Sequence, residues 1–355
     1  PAEPPGANRL FSYVHEWLPG QEQKTVIEPA QTHTLGDDSQ ELISSVSLEQ
    51  LIRFYANPCQ YYLNQSQHVY FTENTEELEE SEAFQLDGLQ YYQLKMDLLN
   101  WHELFPQDIG YTEFKERELN RGHLGYHLTA EKHIDRAIDD VNDILNRTEQ
   151  YKLVYPGIER SLLSIKLTLP SGIQLEAEPF PVLAAGPECA SCIIDSRPAK
   201  SSAKIKLQLW LKHLMICAAD QKQKYHLPEG KEFRTVCINT DLSLIYEPVT
   251  QPQAKAYLQT LVEIYQQGLN EPLAFFPETS FSFIVEGRTE AMKKFYGGYN
   301  SPGEIDNAYI QRCYTDFDSI PLQQLETIAR HVYQPMEVYL KAVKDDFAYL
   351  QEHCL

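Results

Sequence analysis

Residues 191–219 read Ser-Cys-Ile-Ile-Asp-Ser-Arg, then Pro-Ala-Lys-Ser-Ser, then AKIKLQLWLKHLMICAA. The apolar run at 192–194 predicts a short strand ending at Asp195-Ser196-Arg197, and 203–219 predicts a strongly apolar helix carrying Gln208. Asp195 and Arg197 occupy alternate positions and therefore share a face. Upstream, the segments 161–169 (SLLSIKLTL) and 173–183 flank Pro170-Ser171-Gly172, which predicts a hairpin. Before the hairpin, Ile134, Ile138, Val141 and Ile144 fall at helical spacing within 128–148. Arg234–Ile238 predicts a further strand and 253–268 an amphipathic helix. The order of elements around Asp195 is helix, hairpin, strand, helix. This defines an α/β class.

That order is the skeleton of restriction-endonuclease-like (PD-(D/E)XK) nucleases. In them one strand supplies an Asp and the next supplies Asp/Glu-x-Lys; the carboxylates hold a divalent cation and the lysine positions or activates the attacking water. Asp195-x-Arg197 alone is a weak match to that pattern.

Longer stretches carry a more specific resemblance. Gln208-Leu209-Trp210-Leu211 with His213-Leu214, Tyr257-Leu258 with Leu261 and Tyr265, Pro272-Leu273 with Pro277-Glu278, Leu48 with Leu51-Ile52-Arg53-Phe54 and Asn57-Pro58, and Phe84, Leu86, Gly88-Leu89 and Tyr92 occur in order over 47–280. These blocks resemble the C-terminal region of the RecC family, the gamma chains of exodeoxyribonuclease V. The resemblance implies a catalytically degenerate nuclease-like domain over 47–355, with surrounding helices. It makes 1–46 the tail of a preceding helicase-like region and a linker, and Pro1 in place of Met points to a piece of a longer chain. It also implies a heterotrimer with RecB and RecD, in which magnesium and ATP are used by the partner subunits and this domain needs no cofactor or metal of its own. The implied work is splitting duplex DNA at a duplex/single-strand junction and guiding the strands, in double-strand-break repair by recombination in the cytoplasm. The turns around Pro170–Gly172 and Pro228–Lys231 are the candidates for the strand-splitting pin.

Aligned to an active relative, the centre looks vestigial. The first Asp position holds Phe180; Glu176 and Glu178 lie nearby, but two residues along a strand move a side chain by about 7 Å. Asp195 stands at the second carboxylate position. The lysine position holds Arg197, which stays protonated and is a poor substitute beside a water. The metal-binding histidine position holds Ala130, although His123, His127 and His133 are close in sequence. Gln208 either reaches into the centre or satisfies a buried backbone group. Two other readings stay open: an active metal-dependent nuclease using Glu178 and Asp195, with Arg197 or Lys200 in place of lysine, and a docking scaffold without DNA contact.

Composition narrows the DNA reading. The 355 residues carry a net charge of −21, which argues against broad, independent nucleic-acid binding. Yet no Asp or Glu falls between Ser196 and Ala219, where Arg197, Lys200, Lys204, Lys206 and Lys212 form the clearest basic patch. Those four lysines, with Arg117 and Arg121 from an apparent inter-helix loop at 117–127, are the candidate DNA contacts; a solvated helix face is the plain alternative. The acidic stretch 73–82 reads as a solvated loop. Tyr91, Tyr92 and Trp101 read as core rather than a stacking platform. Seven cysteines, an odd number, suit a reducing compartment better than a disulfide framework. Cys189-x-x-Cys192 lacks a second pair at zinc spacing, although Cys217 and Cys237 could in principle complete one. No apolar run is long enough to cross a membrane. The final helix, 321–351, is expected to break at Pro335.

Overall fold

The computed structural model describes residues 44–71, 86–121, 127–154, 159–184, 191–220, 233–298 and 301–353. The tail before Ser44, the acidic stretch 73–82 and the turn around Pro228–Lys231 lie outside them.

Strand β1 (Ser45–Ser47) leads directly into α1 (Leu48–Ala56). The start of α1 is a capping box: Ser47 Oγ accepts from the Gln50 amide at 3.1 Å, and Gln50 Oε1 accepts from the Ser47 amide at 2.7 Å. Asn57 ends α1 and caps α2 (Pro58–Gln65), accepting from the Gln60 amide at 3.0 Å; Pro58 enters α2 where its missing N–H costs nothing. There follow α3 (Gly88–Leu104), α4 (Thr112–Arg121) and α5 (His127–Val154). The loop expected at 117–127 is thus helical as far as Arg121. The carboxylate of Asp108 accepts from the amides of Thr112 and Phe114 and starts α4, while Phe114 and Glu118 turn inward.

Strands β2 (Glu159–Thr168) and β3 (Gln174–Ala184) form the predicted hairpin, with a register shift between Leu163 and Ile165. Gly172 takes φ +86° at the turn, a conformation that favours glycine. Parallel β1 extends this sheet on the other side of β3. β4 (Ser191–Ser196), α6 (Ala203–Ala218) and β5 (Phe233–Ile238) make a parallel crossover, with β4 beside β3. β6 (Ser243–Tyr246) then pairs antiparallel with β5.

The second half of the chain is mainly helical. It comprises α7 (Gln251–Asn270), α8 (Pro277–Val285), α9 (Arg288–Tyr296), the two-residue strands β7 (Gly297–Gly298) and β8 (Ser301–Pro302), α10 (Ala308–Cys313), α11 (Leu322–Tyr339), β9 (Leu340–Val343) and α12 (Asp346–His353). β9 pairs with β6, so the second sheet runs β4-β5-β6-β9. The break expected at Pro335 does not occur: α11 runs through it to Tyr339. Val332, Tyr333 and Met336 are fully buried around the proline, and that packing offsets the roughly 3 kcal/mol an interior proline costs. The turn instead comes at Leu340, where the chain enters the sheet edge.

The protein is therefore a mixed α/β structure. α6 is its axis: Leu207, Leu209, Trp210, Leu211, Leu214 and Met215 are buried in the main core, which gathers α1, α7, α11 and both sheets. What α6 leaves to solvent is one polar stripe containing Lys204, Gln208 and Lys212. Among the described residues no helix is long and apolar enough to cross a membrane.

Candidate functional site

The strand end and the polar stripe of α6 meet. β4 carries Asp195 as its penultimate residue, and the amide of Arg197 continues the ladder by donating to the Ile238 carbonyl at 2.9 Å. That bond holds Arg197 over α6. Its guanidinium Nη1 donates to Gln208 Oε1 at 3.0 Å, and its Nε lies 3.4 Å from Asp195 Oδ2. Both side chains of the ion pair are partly covered, at 18% exposure for Arg197 and 32% for Asp195. Gln208 therefore serves the arginine, not a backbone group. Beneath them Cys237 is fully buried; burial pushes its thiol well above the ordinary range, Asp195 adds to that, and Arg197 and Lys212 oppose it.

Phe180 lies on β3 opposite Leu163, just before the register shift. Glu178 is exposed on β3, and Glu176 is paired with Lys166 at 3.0 Å. Ala130 is buried on α5, and His133 is half-buried with Nε2 unpartnered. His123 and Cys189 lie outside the described residues, and of the side chains of His127 and Cys192 nothing is described. Cys217 and Cys237 are buried thiols. Among the described residues no group of three or more His, Cys, Asp or Glu is placed to hold a metal ion.

The basic residues separate into two sets. Lys200 and Lys204 are exposed, Lys212 is half-buried, and Lys206 lays its Nζ 4.1 Å from the centre of the Phe281 ring. Arg117 and Arg121 are far more engaged. Both bond the buried carboxylate of Glu118, at 2.7 Å and 2.9 Å, and Arg117 lies over the Trp101 ring at 4.5 Å. Trp101 belongs to the core of α3 to α5, as the sequence suggests, with Tyr91 packed at its edge.

Two buried polar groups were given no role by the sequence. His213 is fully buried, hydrogen-bonded to Thr235 and to the Glu247 carbonyl, and stacks on Trp210. Arg147 on α5 donates to Asp346 at 2.6 Å, to Ser243 at 2.8 Å and to the Asn239 carbonyl at 2.8 Å, which fixes α12 to the sheet. Only the position of Arg147 three residues beyond a buried Ile144 hints that it points inward.

The class defined so far is an α/β domain whose strand-end carboxylate is engaged by arginine, beside an α6 stripe free of acids. The profile of the family described as the RecC C-terminal domain matches residues 43–288, and the chain belongs to that family. It is 26% identical over 313 residues to the RecBCD enzyme subunit RecC of Escherichia coli (strain K12), covering 86% of this chain and 24% of that protein. To the RecBCD enzyme subunit RecC of Haemophilus influenzae it is 30% identical over 88 residues, 25% of this chain and 8% of that protein. The chain thus spans about a quarter of the length of the longer match.

Proposed function

We propose that this chain is a non-catalytic, DNA-handling part of a RecBCD-type recombination and repair enzyme, built on a degenerate restriction-endonuclease-like core. The succession α5, β2–β3 hairpin, β4, α6 and parallel β5 supports that fold. By kinship with RecC, its partners are RecB and RecD, which supply ATP- and magnesium-dependent work. The domain guides separated strands and docks the other subunits.

The observation that carries the reading is the placement of Arg197. A metal-dependent nuclease needs the carboxylate of Asp195 open to a cation and a neutral amine near the water. Here a permanently charged guanidinium holds Asp195 and Gln208 together, so a divalent cation would have to displace a bound positive charge. The Pro170–Gly172 turn remains one of the two candidate pins; its Ser171 amide donates to Gln259 Oε1 of α7 at 3.1 Å, which holds the tip on that helix.

The test is calorimetric titration of magnesium and manganese into the full chain, alongside incubation with labelled single- and double-stranded DNA. The expected result is no stoichiometric metal uptake and intact DNA. Metal uptake with cleavage that Asp195→Ala abolishes would replace this reading by the active-nuclease one. Charge reversal at Lys200 and Lys212 is expected to impair strand handling by the assembled enzyme; unchanged activity would leave a pure docking scaffold.

A further inference from the structure

A cleft of about 680 Å³ opens between α1–α2, the start of α6 and the start of α8. Arg53, Tyr61, Asn64, Lys204, Glu278 and Glu304 are among its lining residues. Arg53 and Lys204 are exposed and have no acidic partner among the described residues. The acids, in contrast, are occupied. Glu304 accepts from the amides of Glu278 and Thr279 at 3.0 and 2.8 Å, capping α8, and Glu278 accepts from the Lys204 amide at 3.4 Å in the first turn of α6. Their charge is directed at helix N-termini, where it is partly neutralised. Arg53 and Lys204 are thus the lining charges left without an ion-pair partner among the described residues.

Three further features bear on what enters. The Tyr61 ring lines the cleft and is held by a 3.0 Å contact between its hydroxyl and that of Tyr265. Asn64 Oδ1 is buried without any hydrogen-bond partner, so it lacks a donor. Lys204 also begins the polar stripe of α6: with Gln208 and Lys212 it falls at i, i+4 and i+8, about 12 Å along the helix. Arg197 lies over the middle of that stripe through its bond to Gln208. Cations thus line a path from Lys212 past Arg197 to Lys204 and Arg53, bordered by Asp195 beside Arg197 and by Asp241, whose carboxylate accepts from Ser201.

We infer that this cleft receives single-stranded DNA, with a phosphate between Arg53 and Lys204, a base against Tyr61 and a base N–H donating to Asn64. Two cations facing a backbone, with an aromatic ring for the base, are the recurring parts of single-strand sites. An acidic peptide would satisfy the cations but would leave the ring unused. The inference rests on the strand-guiding reading above and adds to it Arg53, Tyr61 and Asn64, none of which the sequence marked as a contact.

The experiment is photocrosslinking of the full chain, assembled with its partner subunits, to oligodeoxythymidine carrying 4-thiothymidine, with the linked peptides mapped by mass spectrometry. Crosslinks are expected within 50–65 and 201–212. Arg53→Glu with Lys204→Glu is expected to cut their yield at least tenfold. The milder pair Arg53→Gln and Lys204→Gln should lower the salt slope of binding by about 0.7, the contribution of one single-strand phosphate. Thermal melting identifies any loss due to misfolding, in which case the Gln pair decides. Crosslinks that map elsewhere, that persist in both pairs, or that a polyglutamate peptide competes away as well as DNA does, would overturn the inference. Lys200→Glu with Lys212→Glu separates the two readings. If that pair lowers the yield while the Arg53 and Lys204 pairs do not, strand guiding stands and the cleft falls. If no pair lowers it, both fall.

Discussion

The guanidinium of Arg197 bonds the side-chain oxygen of Gln208 at 3.0 Å while sitting 3.4 Å from the carboxylate of Asp195. One arginine thereby joins the end of β4 to the middle of α6. The same geometry that engages the strand-end carboxylate provides a structural tie between strand and helix.

Arg197→Ala is accordingly expected to lower stability by about 1 kcal/mol, a figure kept low because the ion pair is partly exposed to screening solvent. Urea denaturation measures it. The same variant should gain no DNA cleavage, since freeing Asp195 restores one ligand and no more. Cleavage in Arg197→Ala would show that the arginine alone had been suppressing an intact centre.

Asp346 makes a heavier contribution. It is 4% exposed and accepts both from Arg147 at 2.6 Å and from Tyr151 at 2.6 Å. Asp346→Ala would leave a largely covered guanidinium without its charge partner, at a cost of about 3 kcal/mol. Loss of α12 protection in amide exchange should accompany the drop, because that helix is fixed to α5 through this contact. A variant within 1 kcal/mol of the parent would mean that Asp143, 3.6 Å from Arg147, takes over.

How much of this was readable beforehand depends on where each signal resides. The hairpin about Gly172 and the apolar α6 rest on local chemistry, and each stands where the sequence places it. Elements fixed by tertiary contact did not announce themselves. β9 has the sequence Leu-Lys-Ala-Val, is half solvent-facing, and is a strand because β6 offers it an edge. α11 ignores Pro335 because buried neighbours hold it. α4 is polar, and its first-turn amides are capped by Asp108 from four residues upstream, outside the usual capping spacing. At the centre, Asp195 and Arg197 could be placed on one face from alternation alone. The bond between Arg197 and Gln208 could not, since it crosses from strand to helix. The cleft at Arg53 was likewise out of reach, because α1, α6 and α8 converge there from distant parts of the chain.

Acid sensitivity follows from Glu247. Burial alone would raise its carboxyl, but hydrogen bonds from Lys341 at 2.8 Å and Arg234 at 2.9 Å outweigh this and hold it below the usual 4.5. A depressed carboxylate contributes stability that is present above its unfolded value and is lost as pH falls through the folded one. Stability should therefore fall as pH drops below about 4.5, and Glu247→Gln should flatten that limb while costing about 1 kcal/mol at neutral pH. Denaturation midpoints across pH 3 to 7 check both, and an unchanged acid slope in the variant would remove Glu247 from the account.

The tightest packing constraint joins α7 to α1. A methyl group placed on Gly268 would meet Phe54 Cε2 at 2.3 Å and Cζ at 2.4 Å, with Leu273 Cδ1 at 3.1 Å. Phe54 cannot simply swing aside, since it is fully buried and makes edge contacts with Tyr55, Tyr61 and Tyr265. In an exposed helix Gly→Ala would stabilise by up to about 1 kcal/mol. Here the overpacking cost of about 1–3 kcal/mol should exceed that gain. Gly268→Ala is thus expected to destabilise the protein in thermal melts. Because Tyr61 packs on Phe54 and lines the cleft beside Arg53, the variant should also weaken DNA crosslinking there by more than the lost stability explains. If Phe54→Leu in the Gly268→Ala background restores stability without restoring crosslinking, the edge contact of Phe54 with Tyr61 is what aligns the cleft.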